Sequence, residues 1–175
     1  MFMRSLTIAA ALATLAGGVA TAADLPNLGK PIDEKDIAPW DISILPDGTG
    51  LPPGSGTPAQ GAPIFAQKCA MCHGENGKGG IAAPVTNFSP KATLDGGKSI
   101  ANFWPYATTV FDFIRRAMPY NKPRSLSDQE VYALTAYILR LNDLIADGAV
   151  IDAKTLPQVK MPNRDNFIIR FPERI

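Results

Sequence analysis

Cys69-Ala70-Met71-Cys72-His73 is the stretch of this 175-residue chain whose residue types and spacing dictate a particular chemistry. Two thiols two residues apart, followed at once by an imidazole, form the attachment pattern of a covalently bound haem. Each thiol can add to one vinyl group of the porphyrin, and the two intervening residues set the reach between the vinyls. The histidine then falls under the iron as an axial ligand. These are the only cysteines and the only histidine in the chain. Three other readings compete. A thioredoxin-like dithiol needs a βαβ setting, which the pattern around it lacks. A disulfide between Cys69 and Cys72 would close a very short loop and add little stability. Zinc would find three ligands here, enough for a catalytic geometry and short of a structural one.

The elements that must position this motif come next. Met1 to Arg4 is short and basic, an apolar run follows to Ala20, and Ala20-Thr21-Ala22 reads as a small-residue cleavage site. Residues 1–22 are therefore expected to be a secretory signal peptide. The run falls short of the roughly 20 apolar residues of a comfortable membrane span, so none is expected after cleavage, and the mature chain is expected in the periplasm. Residues 23–56 carry Pro26, Pro31, Pro39, Pro46, Pro52 and Pro53 and several Gly turns, which excludes a mainly helical segment. With Ile37, Trp40, Ile42, Ile44 and Leu45 also in it, this reads as an extended arm packed on a domain, against the alternative of a flexible linker.

A helical domain is expected over 57–142. Thr57-Pro58 is a hydroxyl N-cap followed by proline at the first helical position. The helix should run to about Cys69, with Pro63 an awkward fit that moves its regular part toward Gly61. Residues 74–100 are glycine-rich loop. Pro84 lies eleven residues after His73, and its carbonyl or a neighbour's is a candidate acceptor for the free ring nitrogen of His73, since a metal-bound histidine nearly always has such a partner; a simple turn role is the alternative. Ala107, Val110, Phe111, Ile114 and Ala117 recur at helical spacing over 104–118, and Pro119 stops that helix. Ser127-Asp128-Gln129-Glu130 is a capping box opening a last helix with its stripe on Val131, Leu134, Ile138 and Leu141. Residues 143–175 form an irregular tail, broken by Pro157, Pro162 and Pro172, with enough apolar residues to pack back on the domain.

The second axial ligand must come from elsewhere. With no second histidine, methionine is the natural donor, and His/Met ligation raises the potential as an electron carrier requires. Met1 and Met3 lie in the leader, and Met71 is held between the two cysteines. Met118, at a helix end before Pro119, is the preferred ligand and Met161 the alternative. Trp104, Tyr106, Arg115 and Arg116 lie close to Met118 in sequence and are candidate donors to the haem propionates, although the two arginines could equally line a solvated face. Charge names no partner: there are 17 basic and 16 acidic side chains, with no basic block for nucleic acid.

The order helix, Cys69-x-x-Cys72-His73, Pro84 loop, helix, Met118-Pro119, capped helix resembles a class I cytochrome c. The resemblance implies an all-α bundle around one haem c, with the arm and tail appended, that transfers single electrons and has no turnover of its own. Three stretches narrow it: Phe103 to Pro119, Leu126 to Leu139, and Met161-Pro162-Asn163-Arg164. Together they resemble the SoxD-type cytochrome subunit of sulfur dehydrogenase and the haem subunits of sulfite dehydrogenases. That resemblance implies a molybdenum-cofactor dehydrogenase subunit as electron donor and another cytochrome as acceptor. Some of those relatives carry a second haem domain, and this chain has one attachment motif. The rival class is a haem enzyme or gas sensor whose sixth iron position is open, which requires that Met118 not bind.

Overall fold

The computed structural model describes residues 29–86, 98–168 and 170. The expected signal peptide, part of the glycine-rich loop, and Ile169 and Phe171 of the tail lie outside the described residues. The chain divides into two units, Met1–Trp40 and Asp41–Ile175. In the first, the one-turn helix α1 (Glu34–Ile37) is opened by Asp33, whose N–H donates to the Asp36 carboxylate at 3.1 Å. Ile32, Ile37 and Trp40 are exposed, Trp40 to 80%.

The second unit is built on three helices, two of which are started by local side-chain caps. Helix α2 (Pro58–Lys68) begins where the Thr57 hydroxyl accepts from the Gln60 N–H at 3.3 Å while the Gln60 side chain accepts from the Thr57 N–H at 2.9 Å. This reciprocal cap satisfies two of the donors that a helix start leaves unpaired. Pro63 lies inside α2, and the helix is regular from Pro58 onward rather than from Gly61. Pro63 and Ala59, whose carbonyl loses its helical partner, are both exposed, so water can take the freed acceptor. Short helices α3 (Ala70–His73) and α4 (Ile100–Phe103) lead to α5 (Ala107–Ala117) and α6 (Asp128–Leu141). Ser127 caps α6, with its hydroxyl accepting from the Glu130 N–H and Glu130 accepting from the Ser127 N–H at 2.9 Å.

The core forms where α2, α5 and α6 meet. Phe65 comes from α2, Val110, Phe111 and Ile114 from α5, and Val131, Tyr132, Leu134, Ile138 and Leu139 from α6. Each such side chain contributes roughly 1.5–3 kcal/mol by leaving water. The Phe111 and Tyr132 rings sit 4.5 Å apart, and the Tyr132 hydroxyl donates to the Pro52 carbonyl at 2.8 Å. Burial pushes that phenol up to about 12. Ile44 and Leu51, on the way into α2, pack on this core. Ile151, Leu156 and Met161 from the tail are buried in it.

The sequence reading contains no strand, yet Ser55–Gly56 (β1) pairs antiparallel with Ile151–Asp152 (β2), Ser55 opposite Asp152 and Gly56 opposite Ile151. This small clasp joins the segment before α2 to the tail after α6. The architecture is all-α apart from that pair.

Lys68 at the end of α2 donates to Glu130 at the start of α6 at 2.6 Å. The Lys68 ammonium, with the Ser127 N–H, holds the Glu130 carboxyl below its ordinary range. A carboxyl lowered by folding adds stability above its unfolded pKa and loses it as pH falls through the folded value. Both side chains are about one third exposed, so solvent limits the contact to roughly 1 kcal/mol or less. Glu130→Gln keeps an acceptor for the cap and removes the charge. It is expected to lower the melting temperature at neutral pH and to match the parent in acid, as thermal melts across pH will show.

Candidate haem-attachment site

The Cys69–His73 motif closes one helical turn. Cys69 ends α2 with its N–H bonded to the Phe65 carbonyl at 2.9 Å. Its own carbonyl accepts from the Cys72 N–H at 3.1 Å and the His73 N–H at 3.0 Å. Residues three and four apart in a helical turn are surface neighbours, so Cys72 and His73 each lie next to Cys69 on this turn. Both thiols are free and half-buried, and burial pushes Cys69 up to about 11. Among the described residues, no group of three or more His, Cys, Asp or Glu side chains is arranged to hold a metal ion, which weighs against the zinc reading.

The loop after the motif folds back and locks it. Gly74 turns the chain at φ 77°, a conformation glycine adopts without strain. A side chain there would also lie 2.9 Å from the Gly79 carbonyl carbon. The Gly79 N–H donates to the His73 carbonyl at 2.6 Å and the Ala82 N–H to the Cys72 carbonyl at 2.9 Å. The Gly77 carbonyl accepts from the Val85 and Thr86 N–H groups and from the Thr86 hydroxyl at 2.9 Å. Asn142, at the end of α6, donates to the Val85 carbonyl at 3.0 Å.

That loop supplies the partner of His73. The imidazole Nδ1 lies 2.8 Å from the Ala83 carbonyl. The acceptor is thus the residue before Pro84 rather than Pro84 itself, which packs beside Gly79. An Nδ1–H donated to Ala83 leaves Nε2 as the free donor nitrogen, the tautomer an iron ligand needs. The donor set fits a covalent haem: two neighbouring thiols on one turn, an oriented imidazole beside them, and a thioether on the same body.

Met118 ends α5 in extended conformation, its N–H bonded to the Ile114 carbonyl at 3.1 Å. Cys69, Trp104 and Met118 all pack, partly buried, against the same hydrophobic core cluster. Met161 is fully buried within that core, where a flexible thioether fills an irregular gap. Trp104 meets Phe113 edge-on at 5.4 Å. Arg115 pairs with Asp128 at 3.1 Å, and Arg116 with Asp112 at 2.8 Å while donating to the Ile42 carbonyl at 3.0 Å. Both candidate propionate donors on α5 therefore already have carboxylate partners. Tyr106 has a neighbour missed by the sequence reading: the Arg164 guanidinium lies 4.3 Å from its ring. Asn163, buried and donating to the Phe103 carbonyl at 2.7 Å, anchors that tail segment. The proximity of 161–164 to 103–106 has no local signal in the sequence.

Comparison with known proteins agrees with this arrangement. The family model for cytochrome c matches residues 58–142. Thiosulfate dehydrogenase of Stutzerimonas stutzeri (strain A1501) is 34% identical over 83 residues, 46% of this chain and 26% of that protein. The Cbb3-type cytochrome c oxidase subunit FixP of Azorhizobium caulinodans is 39% identical over 92 residues, 51% of this chain and 29% of that protein. The chain thus spans between a quarter and a third of the length of these curated relatives. The crystal structure of the sulfane dehydrogenase SoxCD from Paracoccus pantotrophus contains a chain that is 36% identical, with a TM-score of 0.74, covering 86% of this chain and 75% of that one. This protein belongs to the cytochrome c family, as a class I member that carries covalently bound haem c.

Proposed function

We propose that Cys69 and Cys72 hold a single haem c through thioethers, that His73 and Met118 are its axial ligands, and that the chain passes single electrons from a molybdenum-containing sulfur-compound dehydrogenase to another cytochrome in the periplasm. Bound haem c supplies a one-electron Fe(III)/Fe(II) couple. The residues of the chain set the conditions for it. Ala83 orients the His73 ring and strengthens its donor nitrogen. The Met118 thioether favours the reduced state. Met71 and Ile81, exposed to 80% and 87% beside the motif, give the attachment edge an apolar rim, suited to the small interfaces of redox encounters. Trp104 and Tyr106 remain candidate propionate donors.

The observation that carries the sulfur assignment is the extent of the match to the SoxCD chain. It covers 86% of this chain, whereas the cytochrome model stops at residue 142, so the shared structure runs into the arm and the tail. The exposed Ile32, Ile37 and Trp40 are suited to contact with a larger subunit. Among the described residues no helix is long and apolar enough to cross a membrane.

The test mixes ferric holo-protein anaerobically with the molybdenum subunit of a sulfur dehydrogenase and sulfite or thiosulfate. Reduction at the rate of substrate oxidation is expected. Reduction only by small-molecule reductants would refute the donor assignment.

A further inference from the structure

Arg116 stands two residues before Met118, on the last turn of α5, and its guanidinium holds two partners at once. Its Nε donates to the Asp112 carboxylate at 2.8 Å, one helical turn back, and its Nη2 donates to the Ile42 carbonyl at 3.0 Å. A half-exposed ion pair within one helix contributes little by itself. The bond to Ile42 differs in kind. It crosses from α5 to the extended segment that precedes α2, and its ends are 74 residues apart in sequence. The planar fork of an arginine can serve both acceptors, whereas a lysine ammonium is a point charge on a flexible stem.

The segment that Arg116 grips is itself anchored. Ile42 and Ile44 are half-buried while Asp41, Ser43 and Leu45 are exposed, the alternation of an extended chain with one face turned inward. Ile44 and Leu51 pack on the core. The Asp41 carboxylate accepts from the Ser43 N–H at 3.2 Å, closing a turn around Ile42. The Leu45 N–H donates to the Thr49 carbonyl at 2.9 Å, and the Leu51 N–H to the Gly48 carbonyl at 3.0 Å. At the other end of the bond, α5 is running out. The last carbonyls of a helix have no helical partner, and Met118 has already left the helix in extended conformation. Two arginines brace this turn from different directions: Arg115 reaches Asp128 at the start of α6 at 3.1 Å, and Arg116 reaches Ile42.

We propose that Arg116 is a positioning residue for Met118: by tying the end of α5 to the Ile42 carbonyl, it makes the hold of the thioether on the iron depend on the 41–44 segment. The proposal rests on reading Met118 as the sixth ligand. Such coupling is reciprocal. Ligation by Met118 steadies residues 41–44, and whatever steadies residues 41–44 strengthens ligation. Asp112 orients the guanidinium, and the bond to Ile42 carries the effect.

The test titrates imidazole into the ferric holo-protein and follows the visible spectrum, because imidazole can bind only where the thioether has let go. Arg116→Ala is expected to bind imidazole about five-fold more tightly than the parent, the low end of coupling between two sites. Arg116→Lys keeps the charge and the pairing distance to Asp112 but loses the fork. It is expected to behave like Arg116→Ala. Glu130→Gln lowers stability through the contact between α2 and α6, and it is expected to keep the parent's imidazole affinity to within about two-fold, as independent sites do. Imidazole affinities of both Arg116 variants within about two-fold of the parent would overturn the proposal. So would parent-like affinity in Arg116→Lys alone, which would assign the effect to charge or to Asp112, or an equal tightening in Glu130→Gln, which would assign it to general loosening of the fold. Failure of the Met118 reading would show separately and would take the proposal with it: the parent would be high-spin before any imidazole is added.

Discussion

Met118→Ala is expected to yield a folded, haem-loaded protein that is high-spin when ferric and binds carbon monoxide when reduced. Its midpoint potential should fall by a sizeable part of the roughly 0.8 V range that axial ligation spans. His73 is the only histidine and is committed through Ala83 to one side of the site. Met161 is locked in the core, and Met71 sits between the two cysteines. Among the described methionines this leaves Met118, partly buried at the mouth of α5. Removing its thioether leaves no soft donor to stabilise the reduced state. Met161→Leu is the matching control. It should cost no more than about 1.5 kcal/mol of stability, as a volume-conserving core change does, and leave the spectrum unchanged. Visible spectra with and without carbon monoxide, together with redox titrations of both variants, check the pair.

Gly61→Ala is expected to destabilise the fold by about 3 kcal/mol or more, the upper end for overpacking. Gly61 is where α2 presses on α6. An added Cβ would overlap the Ala133 carbonyl oxygen and lie 2.6 Å from the carbonyl carbon and 2.7 Å from the Tyr137 Cβ. The obstacle is helix backbone, so relief requires the two helices to part. Phe65 and Lys68 would move with α2, and so would Cys69, which the helix delivers to the attachment site. A loss of this size is a large share of a net stability of about 5–15 kcal/mol. Gly148→Ala is the control, because nothing lies within 4 Å of a Cβ there. It should stay within about 0.5 kcal/mol, as surface substitutions do. Denaturant unfolding of the holo-proteins measures both.

The legible parts of this protein are those whose causes are local. The Cys69–His73 turn carries its chemistry in five consecutive residues. Thr57 with Gln60, and Ser127 with Glu130, place helix starts through partners three residues away. The stripe Val110, Phe111, Ile114 gives α5 its buried face. What escaped the sequence depends on contacts between distant segments. The β1–β2 clasp is two residues long on each side, too short to print an alternating pattern. Pro63 reads as a helix hazard, yet it falls on the solvent side of α2, where water can take the carbonyl it frees. Pro84 marks the turn that serves His73 but leaves open which carbonyl faces the ring, and the acceptor is that of its neighbour Ala83. Arg115 reads as a propionate donor because Asp128 reaches it only once α5 meets α6; the Asp112–Arg116 pair is different, being four residues apart on one helix and so legible from local spacing.

The most direct test of the account is the absorption spectrum of the holo-protein, ferric and ferrous, with and without carbon monoxide. Ligation by His73 and Met118 predicts a low-spin ferric spectrum with a methionine–iron charge-transfer band and no shift when carbon monoxide is added after reduction. A high-spin ferric spectrum, with ready carbon monoxide binding in the ferrous state, would contradict it and make the open-iron enzyme or sensor the better reading.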